Sequence, residues 1–179
     1  MDTPWKKFEE DYQAEKIPAD NKKGFRVVYR YVGPWAECRL EESVFRKTKA
    51  AIIVLYVLEL LLLIISGLQQ TAVNMAASVS VCTGVTLALY IYELTAILPL
   101  IRLQMRVPKR SYEELDRKLR AIPALTAAIR LLAFVFALAI RIRGGASADT
   151  PVCLSFLAEA VCSAGQYMIF RRLKFYPCV

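Results

Sequence analysis

Apolar and polar positions divide this chain into four long hydrophobic blocks, at about residues 50–68, 72–101, 123–140 and 151–170, with short polar or basic stretches between them. Within each block the apolar residues run almost continuously, without the three-to-four-residue spacing of a surface helix. Runs of that length cross a bilayer as helices, so the pattern predicts an all-α membrane protein with four transmembrane helices. The second block would be about 45 Å long if helical throughout, against a hydrocarbon core of about 30 Å. It is therefore expected to tilt, kink or project, with Pro99 as the kink site.

Residues 1–48 read differently, as a small N-terminal segment consisting of a short helix and a β-hairpin. Thr3-Pro4 suits a helix start, and Trp5, Phe8 and Tyr12 follow at helical spacing, which predicts an amphipathic helix over 3–16. Phe25 to Val32 is rich in aromatic and β-branched residues and reads as a strand. Gly33-Pro34 then signals a turn, with Trp35 to Leu40 returning as the second strand of the hairpin. Further on, Ser111-Tyr112-Glu113-Glu114 fits a capping box, and Tyr112, Leu115, Leu119 and Ile122 share one helical face. Together they predict a short interfacial helix that ends where Pro123 starts the third span. Asp149 or Thr150 caps the fourth span, with Pro151 at its first position. The resulting division is a segment 1–48, a membrane domain 49–174 and a tail 175–179.

Charge adds an orientation. The formal net charge of +8 comes from 24 Lys and Arg against 16 Asp and Glu. The basic residues cluster before span one, between spans two and three, and after span four, whereas the other two loops hold only Arg141 and Arg143. By the positive-inside rule both termini, and hence segments 1–48 and 175–179, are cytoplasmic. Basic residues placed beside apolar blocks orient membrane helices, so no nucleic-acid partner is expected. Residues 1–49 contain no apolar run of signal-peptide type, so span one is expected to be its own uncleaved insertion signal. Histidine is absent, and the five cysteines (Cys38, Cys82, Cys153, Cys162, Cys178) form no CxxC pair. The chain therefore offers no metal or haem motif, no expected cofactor and no disulfide framework. Cys82, Cys153 and Cys162 read as small packing residues within or beside the spans. With no glycine-rich phosphate loop and no nucleophile beside an evident base, the chain reads as a non-enzyme.

The informative chemistry lies inside the blocks. Each span carries one ionisable residue: Glu59, Glu93, Arg130 and Glu159. At 1.5 Å per residue each lies roughly 12–17 Å from the cytoplasmic end of its span, so the four are expected to meet in one layer. A charge in hydrocarbon costs at least about 2.5–3.5 kcal/mol on insertion scales, so these side chains should face the bundle interior. Helical steps of three, four or seven place polar neighbours on the same faces. Tyr56 and Ser66 accompany Glu59, Thr86 and Tyr90 accompany Glu93, and Ser155, Cys162, Ser163 and Gln166 accompany Glu159. On the opposite side of span two, Ala76, Ser80, Gly84 and Ala88 recur every fourth residue as a close-packing face.

The run Tyr29-Arg30-Tyr31-Val32-Gly33-Pro34-Trp35, followed by a basic entry to a span, resembles small uncharacterised bacterial four-span membrane proteins. That resemblance implies the four-span fold and carries no activity or functional residue with it. The first expectation for function is a non-enzymatic membrane protein acting by assembly or binding, with a buried Glu/Arg layer that holds its helices in register. Its partners are the lipid bilayer and either further copies of the chain or a membrane protein. The alternative is a small cation- or proton-coupled transporter using Glu59, Glu93 and Glu159 with Arg130 as counter-charge, and a membrane enzyme comes third.

Overall fold

The computed structural model describes residues 11–18, 25–143 and 149–178. Its helices are α1 (Glu42–Gly67), the short α2 (Ala72–Met75), α3 (Ala77–Arg102), α4 (Lys109–Ile142) and α5 (Thr150–Phe170). Its strands are β1 (Tyr12–Pro18), β2 (Phe25–Tyr31), β3 (Trp35–Cys38), β4 (Arg106–Pro108) and β5 (Phe175–Cys178). The four long helices are each long and apolar enough to cross a membrane. Only 28% to 39% of each apolar window is buried, so most of it faces outward. Val54, Leu61, Ile65, Ile91, Leu98, Val135 and Val161 are all at least half exposed, whereas Glu59, Glu93, Arg130 and Glu159 are fully buried. A polar interior beneath an apolar surface is the arrangement that hydrocarbon solvent selects.

Around the bundle, α1 packs on α5, α5 on α4 and α4 on α3, and a lighter α1–α3 contact closes the ring. The helices alternate in direction. The start of α1, the end of α3, the start of α4 and the end of α5 gather at one end, where the strands between them form sheets. Lys49 fastens this end by donating hydrogen bonds to the carbonyls of Ile101, at 3.1 Å, and Leu103, at 2.7 Å. These are carbonyls at the C-terminus of α3, which have no further turn to accept from and attract a cation.

Several sequence expectations need correction at this end. Residues 12–16, assigned to a helix, belong to β1; of the remainder of that assignment, Asp11 is helical and residues 3–10 lie outside the described residues. The strands around Gly33-Pro34 exist but do not pair with each other. β2 pairs antiparallel with β1 along its whole length, from Tyr12 opposite Tyr31 to Pro18 opposite Phe25. β3 is instead the central strand of a second sheet in the order β4-β3-β5, with Ala36 opposite both Val107 and Pro177. The divergence occurs at the turn. The Pro34 carbonyl accepts from the Lys109 N–H at 3.0 Å and the Tyr31 hydroxyl at 2.8 Å, which hands the chain from one sheet to the other. Gly33 allows this, because a Cβ there would lie 2.7 Å from both Asp11 Oδ1 and the Tyr31 hydroxyl. Residues 175–178, read as a tail, form β5, and the Phe175 ring packs on Tyr112 and Phe45 at centroid distances of 4.4 and 6.3 Å.

Two helix boundaries also differ. The separate interfacial helix does not exist: α4 runs unbroken through Pro123, and Tyr112, Leu115, Leu119 and Ile122 are its inner face. Its N-cap is Pro108, so Ser111 lies within the first turns and forms no capping box. Pro123 forfeits one backbone hydrogen bond, but the same face continues to Thr126 and Arg130 and keeps the helix packed. The second span does not begin at residue 72. Ala76 adopts an extended backbone, φ −68° and ψ 128°, between α2 and α3. Asn74 enforces the break: its amide donates to the carbonyls of Ser66 and Gln69, both at 2.7 Å, and pins α2 to the end of α1.

Two apolar clusters fill the bundle. One, at the sheet end, includes Phe45, Ile52, Leu100, Leu115, Leu119 and Phe170. The other, at the far end, includes Val73, Val79, Ala133, Ala137, Val152 and Phe156. Between them lies a polar zone.

Candidate functional site

All four helices contribute to the polar zone. Glu59, Glu93, Arg130 and Glu159 are 0% exposed, and Thr86, Thr126, Ser163 and Gln166 are buried beside them. Helical spacing produces this arrangement: Thr126 lies one turn from Arg130 on α4, and Ser163 and Gln166 lie one and two turns from Glu159 on α5.

The charged side chains do not merge into one mutual network. Arg130 Nε lies 2.7 Å from Glu159 Oε2, the one ion pair of the zone. Its N–H does not point along that contact, which is an ion pair by proximity more than a directed hydrogen bond. The guanidinium is further held by Thr83 Oγ1, at 3.4 Å from Nη1, and by the Phe156 ring, 5.3 Å from Cζ to the centroid. Glu59 accepts a hydrogen bond from the Ser163 hydroxyl at 3.0 Å. The Glu93 and Glu159 carboxyls lie within electrostatic reach of it. The Tyr56 hydroxyl donates to the Tyr90 carbonyl at 3.1 Å, and the two rings meet edge to face at 6.3 Å. The Tyr90 hydroxyl lies within electrostatic reach of Glu59, Glu159 and Arg130.

The zone therefore divides into two tiers. The outer tier holds Glu59, Tyr90, Arg130, Glu159 and Ser163. One helical turn closer to the sheet end lie Tyr56 on α1, Glu93 on α3, Thr126 on α4 and Gln166 on α5. The inner tier has no cation. Among the described residues, neither oxygen of Glu93, neither end of the Gln166 amide, nor Thr126 Oγ1 has a hydrogen-bond partner. Glu59 Oε1 is in the same condition. Buried polar atoms are normally satisfied, and leaving one unpaired costs about 1–3 kcal/mol, more when charged. Three carboxyls facing one guanidinium leave an acid surplus, and such a centre can take up a proton or a small cation. Among the described residues, no group of three or more His, Cys, Asp and Glu side chains is placed to hold a metal ion.

All six predicted residues of the polar layer, Tyr56, Glu59, Tyr90, Glu93, Arg130 and Glu159, thus face the bundle interior, but only Arg130 and Glu159 form an ion pair. Sequence reasoning missed Thr83 and Thr126. Stepping four residues back from Arg130 would have found Thr126. The predicted packing face is on the outside of the bundle: Ser80, Gly84 and Ala88 are exposed, while Ala76 sits in the break before α3 and leaves the helical stripe. Cys38, Cys82 and Cys153 are buried free thiols, and Cys162 is half-buried.

Comparison with protein-family models, curated proteins and solved structures gives no match for this chain.

Proposed function

We propose that this chain is a non-enzymatic four-span membrane protein, its sheet end in the cytoplasm, whose internal acid centre takes up small cationic species from within the bilayer. The carrying observation is Glu93, fully buried with neither oxygen hydrogen-bonded among the described residues, while the one buried cation among them, Arg130, is committed to Glu159. A layer serving only to fix helix register would be expected to close its own hydrogen bonds. A cationic helix of a partner protein is a poor occupant, because the carboxyls are enclosed by the chain's own four helices. The orientation rests on Lys and Arg. The sheet end carries Arg46, Lys47, Lys49, Arg102, Arg106, Lys109, Arg110, Arg171, Arg172 and Lys174, against Arg141 and Arg143 at the far end.

Reconstitution tests this reading. Vesicles carrying the protein should show a cation or proton flux driven by a pH gradient. Glu59→Gln and Glu93→Gln should abolish it while the protein remains monodisperse on size exclusion. Absence of flux over a broad panel of cations and pH gradients refutes the reading.

A second reading, assembly through α3, is favoured by one observation. The small residues Ser80, Gly84 and Ala88 face outward, and a Cβ built at Gly84 meets nothing within 4 Å. Small residues let helices approach closely in lipid. A defined oligomer after mild extraction supports this reading, and a monomer with native lipid retained counts against it.

A further inference from the structure

The inner tier holds more than a proton requires. Protonation would neutralise the Glu59 and Glu93 carboxyls, yet it would do nothing for Thr126 Oγ1 or for Gln166, both nine-tenths or more buried and unpartnered among the described residues. These two approach from different helices. Gln166 is three residues beyond Ser163, whose hydroxyl reaches Glu59, and so lies on the same inward face of α5 one turn nearer the sheet end. Thr126 is one turn before Arg130 on the inward face of α4. Glu93 is three residues beyond Tyr90, whose carbonyl accepts from Tyr56 of α1. Oxygen-bearing side chains from α3, α4 and α5 thus lie at one level of the bundle, with Glu59 of α1 one turn above them, and the cation of the outer tier is engaged by Glu159. Carboxylate, amide carbonyl and hydroxyl oxygens are hard donors, suited to hard cations.

We propose that Glu59, Glu93, Thr126 and Gln166 form a binding site for one small alkali cation, Na+ or a congener, which exchanges with a proton on the same carboxyls. The proposal rests on the acid-centre reading above and names its ligand. Charge balance fixes the stoichiometry. Arg130 and Glu159 cancel, so Glu59 and Glu93 together demand two positive charges. One of these is a proton. The second charge is either another proton or the alkali ion, so binding one ion releases one proton and the site stays neutral in both states. Acid therefore competes with the ion. The titratable and charged groups facing this exchange are Tyr56 and Glu59 from α1, Tyr90 and Glu93 from α3, Arg130 from α4, and Glu159 and Cys162 from α5.

The test is thermal unfolding of the full chain in detergent, with NaCl replacing choline chloride at constant ionic strength. At pH 8 the wild type should gain about 5 °C in Tm at saturating Na+, and the gain should shrink at pH 6. Thr126→Val and Gln166→Leu remove one oxygen-bearing group each and should lose the Na+ gain. If either variant fails to fold, titration of NaCl into wild type and Glu93→Gln takes its place, with heat or proton release expected only in the wild type. Equal Tm values in NaCl, KCl and choline chloride at both pH values overturn the alkali site. A full Na+ gain in both Thr126→Val and Gln166→Leu does the same. Either result obtained with pH-driven flux intact leaves the acid-centre reading standing, whereas loss of every flux removes both.

Discussion

The ion pair of Arg130 and Glu159 offers the sharpest perturbation. Both side chains are fully buried at 2.7 Å, and among the described residues Arg130 is the one buried cation. Arg130→Leu removes the guanidinium and strands Glu159 as an uncompensated buried carboxyl, neither oxygen of which has a hydrogen-bond partner among the described residues. Breaking a buried pair by deleting one partner costs about 3–5 kcal/mol. For a chain of this size, at roughly 2–4 °C per kcal/mol, the loss is about 6–20 °C in Tm. The loss comes from the uncompensated charge more than from missing attraction, so deleting both charges should restore most of it. Arg130→Met combined with Glu159→Leu should lie within about 1 kcal/mol of wild type, or above it. Thermal unfolding of purified protein in one mild detergent measures both variants, and comparison with Glu159→Leu alone completes the double-mutant cycle. An Arg130→Leu protein melting within 2 °C of wild type, on the scale of about 2–4 °C per kcal/mol, would show that the pair does not hold the helices. A double variant no more stable than Arg130→Leu would refute the charge argument itself.

Two predictions concern the sheet end. Lys49→Met removes two charge-assisted hydrogen bonds to the end of α3 and should cost about 1.5–3 kcal/mol, read as a lower Tm in the same detergent; Lys49→Arg should recover part of it. Burial raises the Cys38 thiol above its ordinary range, outweighing the backbone hydrogen bond from Leu40 that lowers it. Since the thiolate is the reactive form, Cys38 should resist iodoacetamide at pH 8 in the folded protein and react once unfolded in SDS. Equal labelling by mass spectrometry in both states would show that β3 is not packed as described.

What the sequence determined by itself was everything written in composition and in spacing along one helix. Continuous apolar runs set the number of long helices, because any helix that length in hydrocarbon must be apolar outside. The same rule made Glu59, Glu93, Arg130 and Glu159 conspicuous and sent them inward, and helical periodicity attached Tyr56, Tyr90, Ser163 and Gln166 to them. Pairing between elements was decided only by tertiary structure. Nothing along the chain told Trp35–Cys38 to leave the neighbouring strand for Arg106–Pro108 and Phe175–Cys178, because strand partners depend on which edges the helix ends bring together in space. The unbroken α4 through Pro123 and the break at Ala76 were hidden for a related reason: the first survives on the packing of Leu119, Ile122 and Thr126, and the second on the Asn74 amide reaching back to α1. The division of the acid centre was equally invisible. Similar depth in four helices leaves their rotation and relative height free, and a displacement of one turn is enough to give Arg130 to Glu159, Ser163 to Glu59, and no hydrogen-bond partner among the described residues to Glu93.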